Sequence, residues 1–273
     1  MSVELARYTT LGTGGPARDF ARPSSIAELE QVLARDEPVA VVGLGSNLLV
    51  ADDGVDALVL RLQGELTLRA GGGAANAVAL HRARTAGLGG FEFACAIPGT
   101  VGGGVKMNAG AYGGDFASVL QRVLVASADG TGWLTPGELG LSYRHSELRP
   151  GQVVVEAELL LHARPSDEIK ADVRDLNARR KAAQPTNRRT FGSVFKNPDH
   201  ELTAGRMLDA CGLKGHRIGG AQISPKHANF IENAGGARTE DALELMREAI
   251  RRAREQFGVE LQHEVQLLGD ISL

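Results

Sequence analysis

Val42-Gly43-Leu44-Gly45-Ser46-Asn47-Leu48-Leu49-Val50 is the stretch on which the choice of fold turns. A β-branched run from Pro38 to Gly43 leads into it, so the glycines follow a strand, as they do in a dinucleotide-binding βαβ unit. That unit needs a third glycine at position 48 and a helix behind it. Position 48 is leucine, and Leu48 to Gly54 reads as extended chain, so the Rossmann reading fails on both counts. What is left is a strand-loop-strand whose glycines free backbone N–H groups for an anion-binding nest, with Ser46 and Asn47 adding side-chain donors. Taken alone, a plain tight turn explains the stretch equally well.

Outward from this loop, the periodicity of apolar residues predicts both helices and strands. Residues 24–35 open with Ser25 and carry Glu28 three positions later, and Ile26, Leu29, Val32 and Leu33 keep helical spacing. Ala57 to Leu62 is a second β-branched run, and Leu120–Ser127 and Val153–His162 are further strands, joined by a Gly/Pro-rich segment from Asp129 to Gly140. Ser166 opens a helix with Ile169, Val173 and Leu176 on one face, stopped by Gln184-Pro185. Beyond Pro185 the composition shifts. Thr239 caps a helix that runs to Phe257, its stripe made of Ala242, Leu245, Met246, Ala249, Ile250 and Ala253, with Gly258 as the stop. Leu261 to Leu268 reads as a last strand, with Glu264 on the polar face beside Gln262 and Gln266. The fold class is α+β.

Composition narrows the function. The chain has 273 residues, 43% of them hydrophobic and 23% charged, enough apolar material for one or two cores. Its net charge of −3 carries no basic footprint for nucleic acid or an anionic membrane. Cys95 and Cys211 form no CxxC, so neither a zinc site nor a disulfide framework is indicated, and with no secretory or membrane-spanning segment the expectation is a cytoplasmic protein. Glycine is the outlier at 35 residues, while aromatics are only 4%. The densest cluster runs Ala96-Ile97-Pro98-Gly99-Thr100-Val101-Gly102-Gly103-Gly104-Val105-Lys106-Met107-Asn108-Ala109-Gly110-Ala111-Tyr112-Gly113-Gly114. So much glycine carries an entropy cost that a simple turn does not require, and close approach of backbone to a ligand explains it better. Two such loops, both read as lying outside a helix start, fit a large phosphorylated cofactor of the size of FAD.

Further motifs follow in order: Tyr8-Thr9-Thr10-Leu11-Gly12-Thr13-Gly14-Gly15-Pro16, Tyr143-Arg144-His145-Ser146, Gly192-Ser193-Val194-Phe195-Lys196-Asn197-Pro198, Gly212-Leu213-Lys214-Gly215 and His227-Ala228-Asn229-Phe230-Ile231. Together with the two glycine loops, this ordered set resembles the UDP-N-acetylenolpyruvoylglucosamine reductase family of bacterial peptidoglycan precursor synthesis. The resemblance implies a vanillyl-alcohol-oxidase-type FAD-binding lobe over 1–189, in two subdomains meeting near 65–70, a substrate-binding domain over 190–260, and a C-terminal strand, 261–273, returning to the flavin site. Non-covalent FAD would be held by Gly43, Leu44, Gly45, Ser46, Asn47, Leu48, Pro98, Gly99, Thr100, Gly102, Gly103, Asn108 and Gly110. The family's longer-chain type carries a substrate-contacting tyrosine between the YRxS and GSxFKNP motifs. No tyrosine occurs in that interval here, so the chain resembles the shorter, second type, with Arg188 or Arg189 as candidates to replace it.

The implied reaction uses NADPH to reduce an enolpyruvyl ether on a UDP-sugar to a lactyl ether, with no metal and no obligate protein partner. Hydride from the flavin adds to the terminal carbon of a C=C conjugated to a carboxylate, pushing negative charge onto that carboxylate. Arg144 matches the family's bidentate grip on it, and Glu264 the second hydrogen-bond donor to the enolate, for which it must be protonated near neutral pH. Ser193 matches the proton donor, with Lys196 or Asn197 assisting. Tyr143, Lys196, Asn197, Lys214, Lys226, His227 and Asn229 are the expected contacts to the UDP-sugar. Read singly, Arg144 is a surface arginine, Ser193 a turn residue and Glu264 an exposed acid. The competing functions are another FAD oxidoreductase of the same superfamily and a non-catalytic flavin-binding module.

Overall fold

The structure, a computed structural model, describes all residues except 1–2, 9–13, 23–30, 33, 36, 38, 42–49, 52, 61–64 and 267–271. The Gly43–Leu48 loop and most of the helix expected over 24–35 therefore lie outside the described residues.

Among the described residues, three sheets and one two-stranded pair carry the fold. The first is built from β1 (Val3–Glu4), β2 (Pro16–Ala21), β3 (Val39–Val41) and β4 (Val55–Leu60) in the order β1-β2-β4-β3, with β2 and β3 both parallel to β4. The strands on either side of the glycine stretch are thus parallel neighbours. The second sheet pairs β5 (Glu65–Gly71), β9 (Leu120–Ser127), β10 (Gly130–Leu134) and β11 (Val153–Ala163) antiparallel in the order β10-β9-β11-β5, while β6 (Leu88–Gly89) adds to the end of β11. β10 is a correction to the expected loop at 129–140: Gly130 to Leu134 pairs with Ser127 back to Val123 as a hairpin. The small pair β7 (Gly110–Ala111) and β8 (Gly114–Asp115) sits beside them. The third sheet is β12 (Thr190–Ser193), β13 (Arg217–Ile218), β14 (Ala221–Ile223) and β15 (Phe230–Asn233), ordered β12-β15-β14-β13 and wholly antiparallel.

Helices cover these sheets. α1 (Asn76–Thr85), α2 (Val101–Lys106) and α3 (Ser166–Ala183) belong to the second sheet's surroundings, α4 (Ala204–Ala210) and α5 (Thr239–Phe257) to the third's. α5 shows how the sequence sets its ends. Its cap is Arg238 rather than Thr239, because the Asp241 carboxylate reaches back to the Arg238 N–H at 3.0 Å, and the same oxygen accepts from the Gly220 N–H at 3.0 Å. Gly258 closes the other end with φ 68°, a left-handed position that costs glycine no Cβ clash. Leu245, Met246, Ala249 and Ala253 are buried in the core beneath, with Ala242 and Ile250 packed at its margin, and Leu243 is buried as well.

The dense glycine cluster corrects the expectation in another way. Thr100 caps α2 through its Oγ1, which accepts from the Gly103 N–H at 3.2 Å, so this loop does open a helix. Two of its glycines are there for packing. A Cβ on Gly104 would lie 2.2 Å from the buried Phe116 ring, and one on Gly102 would lie 2.9 Å from the Gly72 carbonyl oxygen. The expected strand over Leu261–Leu268 is reduced, within its described part, to a single bridge between Phe195 and His263.

Candidate active site

Arg144 stands at the tip of a tight turn, Ser142 to His145, closed by two backbone hydrogen bonds of 3.1 Å. Its φ is 54°, an uncommon left-handed value for a side chain of this size. Asn108 (φ 39°) and Tyr112 (φ 53°) are the other non-glycine residues with positive φ among those described, and both lie in the neighbouring segment. Strained backbone of this kind persists only where surroundings over-determine it, and here they do. Asn108 is 3% exposed, donates from its amide to the Ser142 carbonyl at 3.0 Å and accepts from the Ala117 N–H at 2.9 Å. The Arg144 guanidinium in turn donates to the Gly110 carbonyl at 2.6 Å.

The opposite wall comes from the end of the chain. Val194 and Lys196 exchange backbone hydrogen bonds with Glu264 (2.7 Å) and Gln262 (2.8 Å), which carries the Glu264 side chain to Arg144. Arg144 Nε lies 3.2 Å from a Glu264 carboxylate oxygen, with both side chains about four-fifths buried. Burial pushes the Glu264 carboxyl above its ordinary range, and it prevails over Arg144 and Lys196, whose positive charges pull it down. The pair opens on a hollow of about 440 Å³ lined also by Lys106, His145, Arg149, Lys196, His263 and Gln266. Ser193 is exposed at the end of β12, one residue from the backbone partner of Glu264. A larger hollow of about 550 Å³ lies beyond the 258–266 segment, but its arginines Arg247, Arg251 and Arg254 are already paired with Glu240, Glu248, Glu255 and Glu260.

Sequence reasoning missed Lys106, His145, Arg149 and His263 on this wall, although their adjacency to Arg144, Glu264 and the glycine cluster was a usable signal. Other expected contacts have different work. Asn229 is a correction: it is 4% exposed, and both ends of its amide are taken up by the backbone of Phe195. Asn197 accepts from the Ala204 N–H at 3.2 Å, at the start of α4. Lys214 pairs with Asp209 at 2.6 Å, and the Lys226 ammonium donates to the Lys181 carbonyl of α3. His227 packs its ring edge-on to Phe230, centroids 4.9 Å apart, and burial together with the Lys214 charge pushes its pKa down. Tyr143 is exposed with Arg144 over its ring, 5.0 Å from the centroid. Arg188 leans towards Glu232 at 3.9 Å, and Arg189 is exposed, its carbonyl accepting from the Asn233 N–H.

The Gly99 turn and the neighbouring Gly73 fit a closely approaching ligand. Gly99 (φ 131°) and Gly73 present faces where a Cβ would meet nothing within 4 Å, and the buried Asn76 Oδ1 beside them has no partner in the protein. Asn76 donates to the Ile97 carbonyl at 3.3 Å, so its oxygen is an acceptor held next to the Pro98-Gly99-Thr100 turn.

Comparison with known proteins gives the chain's relatives. Residues 18–133 match the profile of an FAD binding domain, and residues 184–268 that of the UDP-N-acetylenolpyruvoylglucosamine reductase C-terminal domain. UDP-N-acetylenolpyruvoylglucosamine reductase 2 of Symbiobacterium thermophilum is 45% identical, the match covering 97% of this chain and 90% of that one. The corresponding reductase of Anaeromyxobacter sp. (strain K) is 44% identical over 97% of this chain and 84% of its own. The crystal structure of the reductase from Thermus caldophilus superimposes with a TM-score of 0.66 at 41% identity, covering 97% of both chains. No helix among the described residues is long and apolar enough to cross a membrane. With an FAD-binding lobe, a reductase-type C-terminal domain and full-length similarity at this level, the chain belongs to the UDP-N-acetylenolpyruvoylglucosamine reductase family.

Proposed function

We propose that this member of the family reduces UDP-N-acetylglucosamine enolpyruvate to UDP-N-acetylmuramate with NADPH, in the cytoplasm, and that Arg144, Glu264 and Ser193 are its catalytic residues. The observation that carries the reading is the meeting of Arg144 with Glu264 on the wall of one hollow, with Ser193 one residue from the backbone that anchors Glu264. FAD, when bound, supplies the hydride, and Gly43–Leu48, Pro98, Gly99, Thr100, Gly102, Gly103 and Gly110 are the residues proposed to hold it; Asn108, expected among them, is a correction, since it is buried and its amide is taken up by Ser142 and Ala117.

The chain's own residues handle charge and protons. Arg144 binds the substrate carboxylate through the donors that Gly110 and Glu264 leave free, and its fork geometry suits two parallel bonds. Negative charge that develops on the carboxylate is met by a cation already in place, which requires no reorganisation during the reaction. Glu264, pushed towards its protonated form by burial, donates to the second carboxylate oxygen. Ser193 delivers the proton to the carbon next to the reduced one, with Lys196 close along the chain to stabilise the alkoxide left behind. Lys106, Arg149 and His263 add positive or donor character for a doubly charged diphosphate. We further propose domain limits of 1–189, with subdomains meeting near 65–70, then 190–260 and 261–273. Leu261 packs into the third sheet's core while Glu264 faces Arg144, which suits a segment joining the lobes.

Separating the two half-reactions tests this. In Ser193→Ala, flavin reduction by NADPH is expected to keep its rate, and reoxidation by the enolpyruvyl substrate to slow by about 10² to 10⁴. Arg144→Lys keeps the charge, loses the fork and is expected to slow the same step. Stopped-flow absorbance of the flavin reads both steps; Ser193→Ala slowing only the NADPH step would remove Ser193 from the proton-donor role.

A further inference from the structure

We infer that Asn229 is a positioning residue for the reaction, a side-chain clamp that sets where Ser193 and Glu264 stand relative to each other. Val194 to Lys196 is the strip of backbone between them. One edge of the strip is bonded to Gln262 and Glu264, as described above. The other edge has residue 229 in place of a continuing strand: the Asn229 carbonyl accepts from the Val194 N–H at 2.9 Å, its Oδ1 accepts from the Phe195 N–H at 2.9 Å, and its Nδ2 donates to the Phe195 carbonyl at 2.9 Å.

A primary amide is a good choice for this because it reproduces the donor and acceptor of a peptide group on one short stem. At 4% exposure the site offers Phe195 no water as a substitute, so loss of the amide leaves buried backbone groups unpaired. Ser193, adjacent to the strip, pairs in register with Phe230, the residue after Asn229. A shift of the strip therefore moves Ser193 and the Glu264 backbone together against Arg144, which is held separately by Gly110. The inference rests on the catalytic assignment proposed above.

Asn229→Asp provides a test that a generally structural role would not pass. Ionised, the aspartate still accepts from the Phe195 N–H but sets an oxygen against the Phe195 carbonyl. Protonated, it regains a donor there. Burial raises the pKa of such a group, so protonation falls in a workable range. With the FAD-loaded protein, the expected result at pH 8 is reoxidation by saturating enolpyruvyl substrate slowed on the order of 10- to 100-fold, since small displacements of reacting groups cost that much. The NADPH step should hold its rate, and the defect should shrink as pH falls, relative to wild type at each pH. Asn229→Leu should show the defect without the pH recovery; where it loses flavin, Asn229→Asp alone carries the test. Wild-type reoxidation in Asn229→Asp, or equal loss in both half-reactions with no recovery at low pH, would overturn the clamp. Ser193→Ala, run alongside, separates the two ideas. A slow Asn229→Asp beside an unaffected Ser193→Ala keeps the clamp and removes Ser193, and the reverse pattern removes the clamp alone.

Discussion

Glu264 carries two opposing influences that the Arg144 contact alone would not suggest. A carboxylate 3.2 Å from a guanidinium is ordinarily pulled to low pKa, yet this one is raised, because burial outweighs both neighbouring cations. The sign for stability follows. A carboxyl whose folded pKa lies above its unfolded value binds protons more tightly when folded, so its ionisation costs stability as pH rises beyond the ordinary glutamate value of 4.5. Glu264→Gln removes that cost. Its melting temperature is expected to exceed that of the wild type at pH 7 to 8, with the gap closing as pH falls towards 4.5 in a series of thermal melts. A variant less stable than wild type at pH 8 would show that the Arg144 pairing dominates instead. The same balance predicts proton uptake when the substrate carboxylate arrives, because a second anion beside Arg144 raises Glu264 further. Calorimetric titration in buffers of different ionisation enthalpy should show uptake in the wild type and its loss in Glu264→Gln.

At the scale of elements, α2 separates two meanings of glycine that look alike in the sequence. Gly104 faces the cluster of Phe91, Phe93 and Phe116, whose rings meet edge-on with centroids 5.4 to 6.1 Å apart, whereas a Cβ on Gly103 would meet only Thr100 Oγ1, at 3.5 Å. Gly104→Ala is expected to destabilise by about 1–3 kcal/mol through overpacking. Gly103→Ala gains up to about 1 kcal/mol of helix propensity but narrows the face proposed for FAD, so it should melt no lower in the flavin-free form and bind FAD more weakly. Urea unfolding and flavin titration of both variants would show it; weaker FAD binding in neither would leave packing as the whole reason for the cluster. What was legible in the sequence follows the same division. The end of α5 at Gly258 and its apolar stripe could be read because a helix repeats locally. The partners of Gly104 and Asn229, Phe116 and Phe195, are remote in sequence and set no local pattern. Arg144 was legible through its motif and Glu264 only through the family resemblance that the motifs carry, since nothing near either residue announces the other.

For the whole molecule, the buried side chains of the described residues divide into three groups. The second sheet encloses the large group around Phe91, Phe116 and Leu159, and the third sheet its own around Phe195, Met207 and Leu245, while the first sheet's described core is Leu5, Ala17, Val50 and Val59. The first sheet flanks the Gly43–Leu48 stretch proposed to hold FAD, so binding energy there has most to add. Free FAD at 100 times its Kd stabilises by about 2.7 kcal/mol any opening that destroys the site, a factor of about 100 in the opening equilibrium. Hydrogen exchange of protein with and without FAD should therefore slow by up to that factor in 3–8, 14–21 and 53–60. Residues 204–210 and 239–257, whose core includes none of the proposed flavin contacts, should change far less. Equal protection of both regions would mean that the three groups open as one cooperative unit, and no protection of the first sheet would place FAD away from it.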